Sequence, residues 1–499
     1  MLFRSRARAD SGQERYREVV NKLTLALVGA VGAALVATSA AAAFTPTNAY
    51  YAKQWYLDQD KAFEAWDDPP TLDPVKVAII DSGVDCALPD FNGRIAKSKS
   101  FVGGSACIDN QGHGTIVAGE IAGTLNSAGI VGLAYSSQLL VAKVVAADGT
   151  IPLKAEAAGI RWAVNQGARV VNLSFGAVRD PDDKTLDGYS KIEAKAVNYA
   201  VRKGVLVVAA VGNSDEAYTT PWPYASWPAA LPHVIGVGAL TRSGNVPDFS
   251  DQDPVFVDIA APGVGIFSTF PKQLTASQST CTPQGYTDCA SGEYRHPVGT
   301  SFAAPQVSAA AAVLFGVDSS LTSSQVTRIL ERHANDVDPD SGCEDCPTGR
   351  DKLSGWGSLD VAKAVDFLSS GNPLPPSDRL EPNDRPQQAR KVWGKRPVVN
   401  ATLDAWDDSR DIYRVRLVRG QPVDVRAVAR WANGAVGLTL WRPETKSAHG
   451  RRSLVARAPR PWKTQRLPYR PAHTGWYEVQ LRIAGDGGGR YTLSLTKGG

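Results

Sequence analysis

Ser301 is the first residue whose surroundings suggest chemistry. It lies in Gly299-Thr300-Ser301-Phe302-Ala303-Ala304-Pro305, ahead of an alanine-rich apolar run from Gln306 to Phe315. Glycine permits a tight entry into a helix, and small residues let that helix pack close to a sheet. A serine at a helix N-terminus meets unpaired N–H groups and the positive dipole end, which favour developing negative charge. It can be a nucleophile there, or a plain cap. Two distant stretches tip the choice toward the nucleophile. Val75-Lys76-Val77-Ala78-Ile79-Ile80 reads as a buried parallel strand, and Asp81 ends it ahead of Ser82-Gly83. A carboxylate at that end of a parallel strand lies where open α/β sheets build their sites, although Asp-Ser-Gly also makes a good turn. His113, in Gly112-His113-Gly114-Thr115, opens an apolar helical pattern that runs through Ile121. Alone it would be a structural histidine. Together the three supply an orienting carboxylate, a general base and a nucleophile. Asn213 follows a strand pattern over Val205–Ala210; its amide either donates into the same crevice or serves a turn.

The elements that must hold these residues are legible as alternating patterns. Strands are predicted at Leu139–Val145, Ala168–Leu173 and Val205–Ala210, and helices at Leu153–Asn165 and Ile192–Arg202. Such alternation predicts an α/β fold with a doubly wound, mostly parallel sheet. A chain of 499 residues is too long for one ordinary core. Ser369–Ser377 has linker composition, and beyond it short alternating runs predict a C-terminal antiparallel β-sandwich. The division expected is a signal peptide over 1–43, a catalytic domain over 44–370, a linker over 371–380 and a sandwich over 381–499.

Residues 1–22 carry six Arg/Lys against three Asp/Glu, an apolar stretch follows from Leu23 to Phe44, and alanines lie before position 44. This reads as a secretory signal cleaved after Ala43, with an uncleaved anchor as the alternative. No later stretch looks long and apolar enough to span a bilayer. The six cysteines fall into local pairs, Cys86 with Cys107, Cys281 with Cys289, and Cys343 with Cys346. An even number in an exported chain suggests disulfides. Fifteen pairings are formally open, and Cys343-Glu-Asp-Cys346 could instead hold half a zinc site. Charge is divided. Residues 381–499 hold 23 Arg/Lys and 10 Asp/Glu, a net +13, whereas residues 44–380 net −12. The basic part either docks on an anionic polymer or on the acidic domain, or is a solvated face.

Asp81-Ser82-Gly83, His113-Gly114-Thr115, Gly212-Asn213 and Gly299-Thr300-Ser301 resemble, in order and separation, the four signatures of the subtilisin-like serine proteases. The resemblance spans about Pro46 to Leu368. It implies acyl transfer: Ser301 attacks, His113 shuttles the proton, Asp81 holds the imidazole, and Asn213 with the Ser301 N–H stabilises the oxyanion. It further implies substrate-aligning walls at Ser174-Phe175-Gly176 and Ala210-Val211-Gly212. Both walls are uncharged, so an apolar or medium-sized residue before the cut is expected, with Asp215 and Glu216 near enough to favour a basic neighbour. No cofactor is required for the chemistry, but a structural calcium site is implied at Asp90, Asn126 and the carbonyls of Thr124, Ala128 and Ile130, with Asn48 completing it. A cis Trp227–Pro228 bond is implied as well.

Several positions depart from the family pattern: Ile116 and Gln306 replace its usual histidines, and Phe302 stands where many members have Met. The only methionine is Met1. Between Ala43 and the matched region there is no room for the folding pro-domain many relatives carry, so either the enzyme folds without one or its activity is controlled another way. Glu381-Pro382-Asn383-Asp384, the run from Asp411 to Val415 and Gly475-Trp476-Tyr477 resemble the bacterial pre-peptidase C-terminal domain. The expected protein is a secreted, monomeric serine endopeptidase acting on polypeptides, with no nucleic-acid partner. A dedicated maturation protease and a catalytically silent surface-binding protein are the alternatives.

Overall fold

The computed structural model describes residues 43–498 except 215–218, 276–292, 407, 432–433, 444–452 and 486. The segment expected to be a signal peptide, save Ala43, and Cys281, Cys289, Asp215 and Glu216 therefore lie outside the described residues. After a short helix α1 (Trp55–Gln59), the chain lays down seven parallel strands: β1 (Lys76–Asp81), β2 (Ile95–Ser100), β3 (Gln138–Lys143), β4 (Val170–Leu173), β5 (Leu206–Ala210), β6 (Val234–Leu240) and β7 (Ile259–Pro262). Their order is β2-β3-β1-β4-β5-β6-β7. The order reverses at β1, which pairs with β3 on one side and β4 on the other. In open α/β sheets that switch point, at the C-terminal strand ends, is where sites form.

Both faces of this sheet are covered over β1 and β3–β7, which is why those strands are largely apolar, whereas the edge strand β2 is polar and exposed. Val77 and Ile79 of β1 enter one core with α2 (His113–Ala122) and with the helix Ala304–Val317. Ala78 and Ile80 enter the other with α3 (Leu153–Asn165) and α4 (Lys191–Arg202). Numbered onward, Ala304–Val317 is α5, followed by α6 (Ser323–Arg332) and α7 (Val361–Ser369). Alanines and glycine let α5 lie in the middle of its core, with Val307, Ala310, Ala311 and Leu314 fully buried. Residues Thr300–Val317 do reach the length and hydropathy of a membrane span, contrary to the expectation that no later stretch would. Their window is 83% buried inside the fold, as a core helix would be.

Where α3 meets α4, the buried carboxyls of Glu156 and Glu193 face each other. Burial, then the neighbouring Glu193 charge, pushes Glu156 up to about 9; burial also raises Glu193. The pair therefore keeps a shared proton at neutral pH. A raised carboxyl favours the fold at low pH, and that contribution is lost as pH climbs through the folded value. Glu156→Gln keeps a donor without a titrating proton. It should flatten the fall in Tm between pH 6 and 9.5 and melt about 1–2 °C higher than the parent at pH 9.5, the shift of roughly 1 kcal/mol in a domain this size. Parallel melting curves across pH check this; superimposable pH profiles would refute it.

Beyond α7 the chain runs extended, and it is held: Gln325 Nε2 donates to the Pro375 carbonyl (2.9 Å) and Arg328 Nη1 to that of Pro376 (3.2 Å). Two antiparallel sheets follow. Strands β10 (Arg390–Val392), β12 (Arg410–Leu417), β17 (Gly475–Ile483), β14 (Val436–Trp441) and β15 (Leu454–Arg457) form one, in that order. Strands β11 (Val398–Asp404), β18 (Gly488–Lys497), β13 (Val423–Ala429) and β16 (Thr464–Tyr469) form the other. Alternate residues such as Tyr413, Val415, Val425, Val479 and Leu493 fill the space between them. Among the described residues the one parallel pair in the sandwich is the edge strand β10 on β12. A two-stranded piece, β8 (Ser268–Thr269) with β9 (Tyr294–Arg295), belongs to the catalytic part.

Residues 44–499 cluster as one compact unit, and the sandwich contacts the α/β part closely. His233 Nε2, just before β6, lies 3.0 Å from Glu381 Oε2 and 3.2 Å from Asp384 Oδ2. Burial alone would lower the His233 pKa, but these two carboxylates raise it well above the ordinary value. Arg332 of α6 reaches Asp404 of β11 at 3.3 Å, and Arg350 stacks 4.1 Å from the Trp406 ring centroid. Disulfides join Cys86 to Cys107 and Cys343 to Cys346. The second removes the half-zinc alternative, since both thiols are consumed.

Candidate active site

Each site residue stands at an end of one of these elements. Asp81 is the last residue of β1 and is 2% exposed. It accepts the Ser82 N–H at 2.7 Å. His113 is the first residue of α2, and its Nδ1 lies 2.9 Å and 3.0 Å from the two Asp81 oxygens. That contact places the Nδ1 proton on the aspartate side and leaves Nε2 for the groove. The strand end and the helix start can meet because residue 114 is glycine. A Cβ there would fall 2.2 Å from the Gly83 carbonyl oxygen and 3.1 Å from Asp81 Oδ1. The Ser82 hydroxyl clamps the junction by accepting the Gly114 N–H at 2.9 Å.

Ser301 sits in a short 3₁₀ turn, Thr300–Phe302, that leads into α5. Gly299 enters this turn at φ +145°, in the range that favours glycine. The Ser301 hydroxyl donates to the Ser174 carbonyl at 2.8 Å. Asn213 approaches from beyond β5. Its Oδ1 accepts the Thr300 N–H at 3.0 Å and the Thr300 hydroxyl at 3.1 Å. With the oxygen so engaged, the amide N–H₂ is the end left to donate. Asp81, His113, Ser301 and Asn213 line one cavity of about 300 Å³, together with Ser174, Phe175, Gly176, Ala210 and Gly212. A carboxylate-held imidazole, a serine hydroxyl and an amide around one groove can transfer an acyl group.

The walls expected at 174–176 and 210–212 flank this groove, with one difference. Val211 is fully buried and packs in the core behind it. Ser226 and Trp227 tie the walls together from below. The Ser226 N–H donates to the Val211 carbonyl (2.6 Å), and Trp227 exchanges both backbone bonds with Ala177. The Trp227–Pro228 bond is cis, as the resemblance implied.

Three supporting residues escaped the sequence reading. Thr300 fixes the Asn213 amide. Asp109, fully buried, accepts the N–H groups of Gly112 and Thr115 at 2.9 Å each, so it caps the helix that carries His113. An aspartate just before a helical pattern is an N-terminal signal that could have been used. Gln306, noted only as a departure, donates through Nε2 to the carbonyls of Phe302 (2.6 Å) and Pro262 (2.8 Å) and to Glu120 Oε2 (3.1 Å). It thereby joins the Ser301 turn, the end of β7 and the His113 helix; nothing local in the sequence announces that.

The residues of the implied calcium loop also converge. Asn48 Nδ2 donates to the carbonyls of Thr124 (3.0 Å), Ala128 (2.7 Å) and Ile130 (2.8 Å), with Asn126 Oδ1 at 3.4 Å. Asp90 accepts the Ile130 N–H at 2.9 Å and a hydroxyl proton from Tyr294. Burial raises its pKa; the Ile130 and Tyr294 bonds oppose this. Several oxygens facing one point, with a carboxylate beside them, form a set whose chemistry suits Ca²⁺. The Asn48 amide is the group that must turn to admit an ion.

The fold and the groove together define a serine hydrolase built on a doubly wound sheet. The sequence profile of the subtilase family matches residues 73–357, and the chain belongs to that family. It is a serine-type endopeptidase. Subtilisin BL of Lederbergia lenta is 36% identical over 284 residues, covering 57% of this chain and 91% of that protein. Subtilisin Savinase of the same organism is 35% identical over 284 residues, again covering 57% and 91%. Thermitase of Thermoactinomyces vulgaris is 35% identical over 274 residues, covering 54% and 85%.

Proposed function

We propose that this chain is an exported endopeptidase whose nucleophile is Ser301, with His113 as the base, Asp81 as its orienting carboxylate and Asn213 as a donor to the oxyanion. The observation that carries the reading is the paired contact of His113 Nδ1 with both Asp81 oxygens, in a cavity that Ser301 also lines. In the first step Ser301 Oγ attacks the substrate carbonyl carbon while its proton passes to His113 Nε2. The carbonyl oxygen becomes an oxyanion, which the Asn213 amide and the Ser301 N–H receive. Collapse expels the amine, which takes the proton from His113, and leaves an acyl-enzyme. Water then repeats the sequence and releases the acid. Asp81 holds the ring in place and stabilises the imidazolium.

The substrate is an extended polypeptide laid along Ser174–Gly176 as an added strand. Secretion through the segment 1–43, a monomeric state and docking of the basic sandwich on an anionic polymer complete the reading. Labelling with a fluorophosphonate tests it. Mass analysis should place one adduct on Ser301, and prior labelling should abolish cleavage of casein. An adduct elsewhere, or cleavage that survives full labelling, would defeat the assignment.

Calcium at the Asn48–Asp90–Asn126 loop belongs to the same proposal; the ion would stiffen the loop and supply no chemistry. Excess EGTA should lower Tm by roughly 3–5 °C, as expected when an ion present at about 100 times its Kd is removed. Added Ca²⁺ should restore it. An unchanged melting curve would count against a tight site.

A further inference from the structure

We infer that the sandwich carries a built docking site for an anionic polysaccharide on the outer face of β10, β12 and β17, centred on Trp393, Arg416 and Trp476. The argument starts from alternation. Val392 and Val415 pair in register and turn inward, as does Tyr477. Their chain neighbours Lys391, Trp393, Arg416 and Trp476 therefore turn outward. Arg416 is in register with Trp476, and Trp393, one residue beyond the Val392–Val415 pair, falls on its other side. The result is a row, tryptophan–arginine–tryptophan, across three adjacent strands at the edge of the sheet.

The two indoles and Lys391 are preassembled on it. The two indoles meet edge to face, with centroids 4.8 Å apart and planes at 85°. The Lys391 ammonium lies 5.2 Å from the Trp476 centroid and 6.0 Å from that of Trp393. Trp393 is nonetheless 66% exposed. Trp462 is as open at 72%, but among the described residues it has no ring partner; what sets Trp393 apart is the second indole packed against it, which makes a contiguous aromatic patch. The nearby carboxylate of Glu478 is already taken: Arg414 donates to its Oε1 through Nε (3.0 Å) and Nη2 (2.9 Å). Among the described residues, neither Lys391 nor Arg416 has a carboxylate partner, so both charges face outward with the rings.

Flat apolar ring faces bordered by cations suit a chain of pyranose rings that bear carboxylates. Sugar C–H groups stack on an indole face, and uronate oxygens pair with Arg416 and Lys391. The net +13 of residues 381–499 draws a polyanion to this side of the molecule. The edge-to-face geometry offers one open ring platform rather than the parallel slot that grips a nucleobase. Two rings are too small an apolar surface for insertion into a bilayer.

The test uses the full chain carrying Ser301→Ala, to prevent self-digestion, in native gels containing polygalacturonate. Strong retardation is expected with polygalacturonate, falling as salt rises, and none with neutral dextran. The double variant Trp393→Ala/Trp476→Ala, and separately Arg416→Glu, should each weaken retardation at least tenfold with Tm unchanged. Because Arg416→Glu leaves the rings intact, a folding defect in the aromatic variant would not hide the result. Retardation that ignores these substitutions would mean that charge alone attracts the polymer, and would overturn the site. So would absence of retardation, or tighter binding to poly(U) or to vesicles of anionic lipid.

Discussion

Ser301→Ala should lower kcat/KM on a chromogenic peptide by roughly 10⁶-fold while leaving KM within a few-fold, the size of loss that subtilisin itself shows for its nucleophile. The substitution removes one oxygen and its bond to the Ser174 carbonyl, and leaves the turn itself held. The 3₁₀ turn is held by Gln306 on the Phe302 carbonyl and by the Thr300 N–H on Asn213, and neither bond involves the Ser301 side chain. Substrate should therefore still bind, and the Ser301 N–H should still face the oxyanion. A residual rate above that of water is expected for the same reason. His113→Ala should cost about as much, and the double variant little more than either alone, because nucleophile and base act as one unit. Additive losses in the double variant, or a Ser301→Ala enzyme within tenfold of the parent, would show that the groove does not use this serine.

What the sequence made legible follows from how local each signal is. Strand β1, helix α3 and strand β5 were readable because apolar runs of strand length alternate with helical periodicity, and the covered sheet enforces that pattern. Helix α3 is observed over the span its periodicity predicts, Leu153–Asn165. The sandwich strands were readable because one face of each is buried, which writes a period of two into Tyr413, Val415 and Leu417. Asp81, His113 and Ser301 were candidates because each follows or precedes such a pattern at a position where chains change direction. The supporting contacts were illegible for the opposite reason. Gln306 touches Glu120 and Pro262 across 186 and 44 positions, and Thr300 selects the Asn213 rotamer across 87. Such pairs leave no periodicity and no composition bias. The same holds for the Trp393–Trp476 pair, which only the register of β10 and β17 on β12 brings together.

Asn213→Ala should reduce kcat by about 10²–10³-fold, or roughly 2.7–4 kcal/mol of transition-state stabilisation, and change KM by less than about threefold. The direction follows from the geometry of the amide. Its oxygen is occupied by Thr300, by both backbone N–H and hydroxyl, so the nitrogen is oriented before substrate arrives. A ground-state carbonyl is a weak acceptor; the oxyanion that forms during attack is a strong one. The donor is therefore felt mainly in the transition state, and its loss appears in kcat. Thr300→Val separates orientation from donation. It keeps the backbone N–H but deletes the hydroxyl bond to Asn213, so the amide is held by one contact instead of two. Its kcat should fall by a smaller factor, near tenfold, and Thr300→Ser should recover most of it. Should Asn213→Ala instead raise KM with kcat untouched, the amide would be a substrate contact, and the oxyanion would have to be received by backbone N–H groups alone.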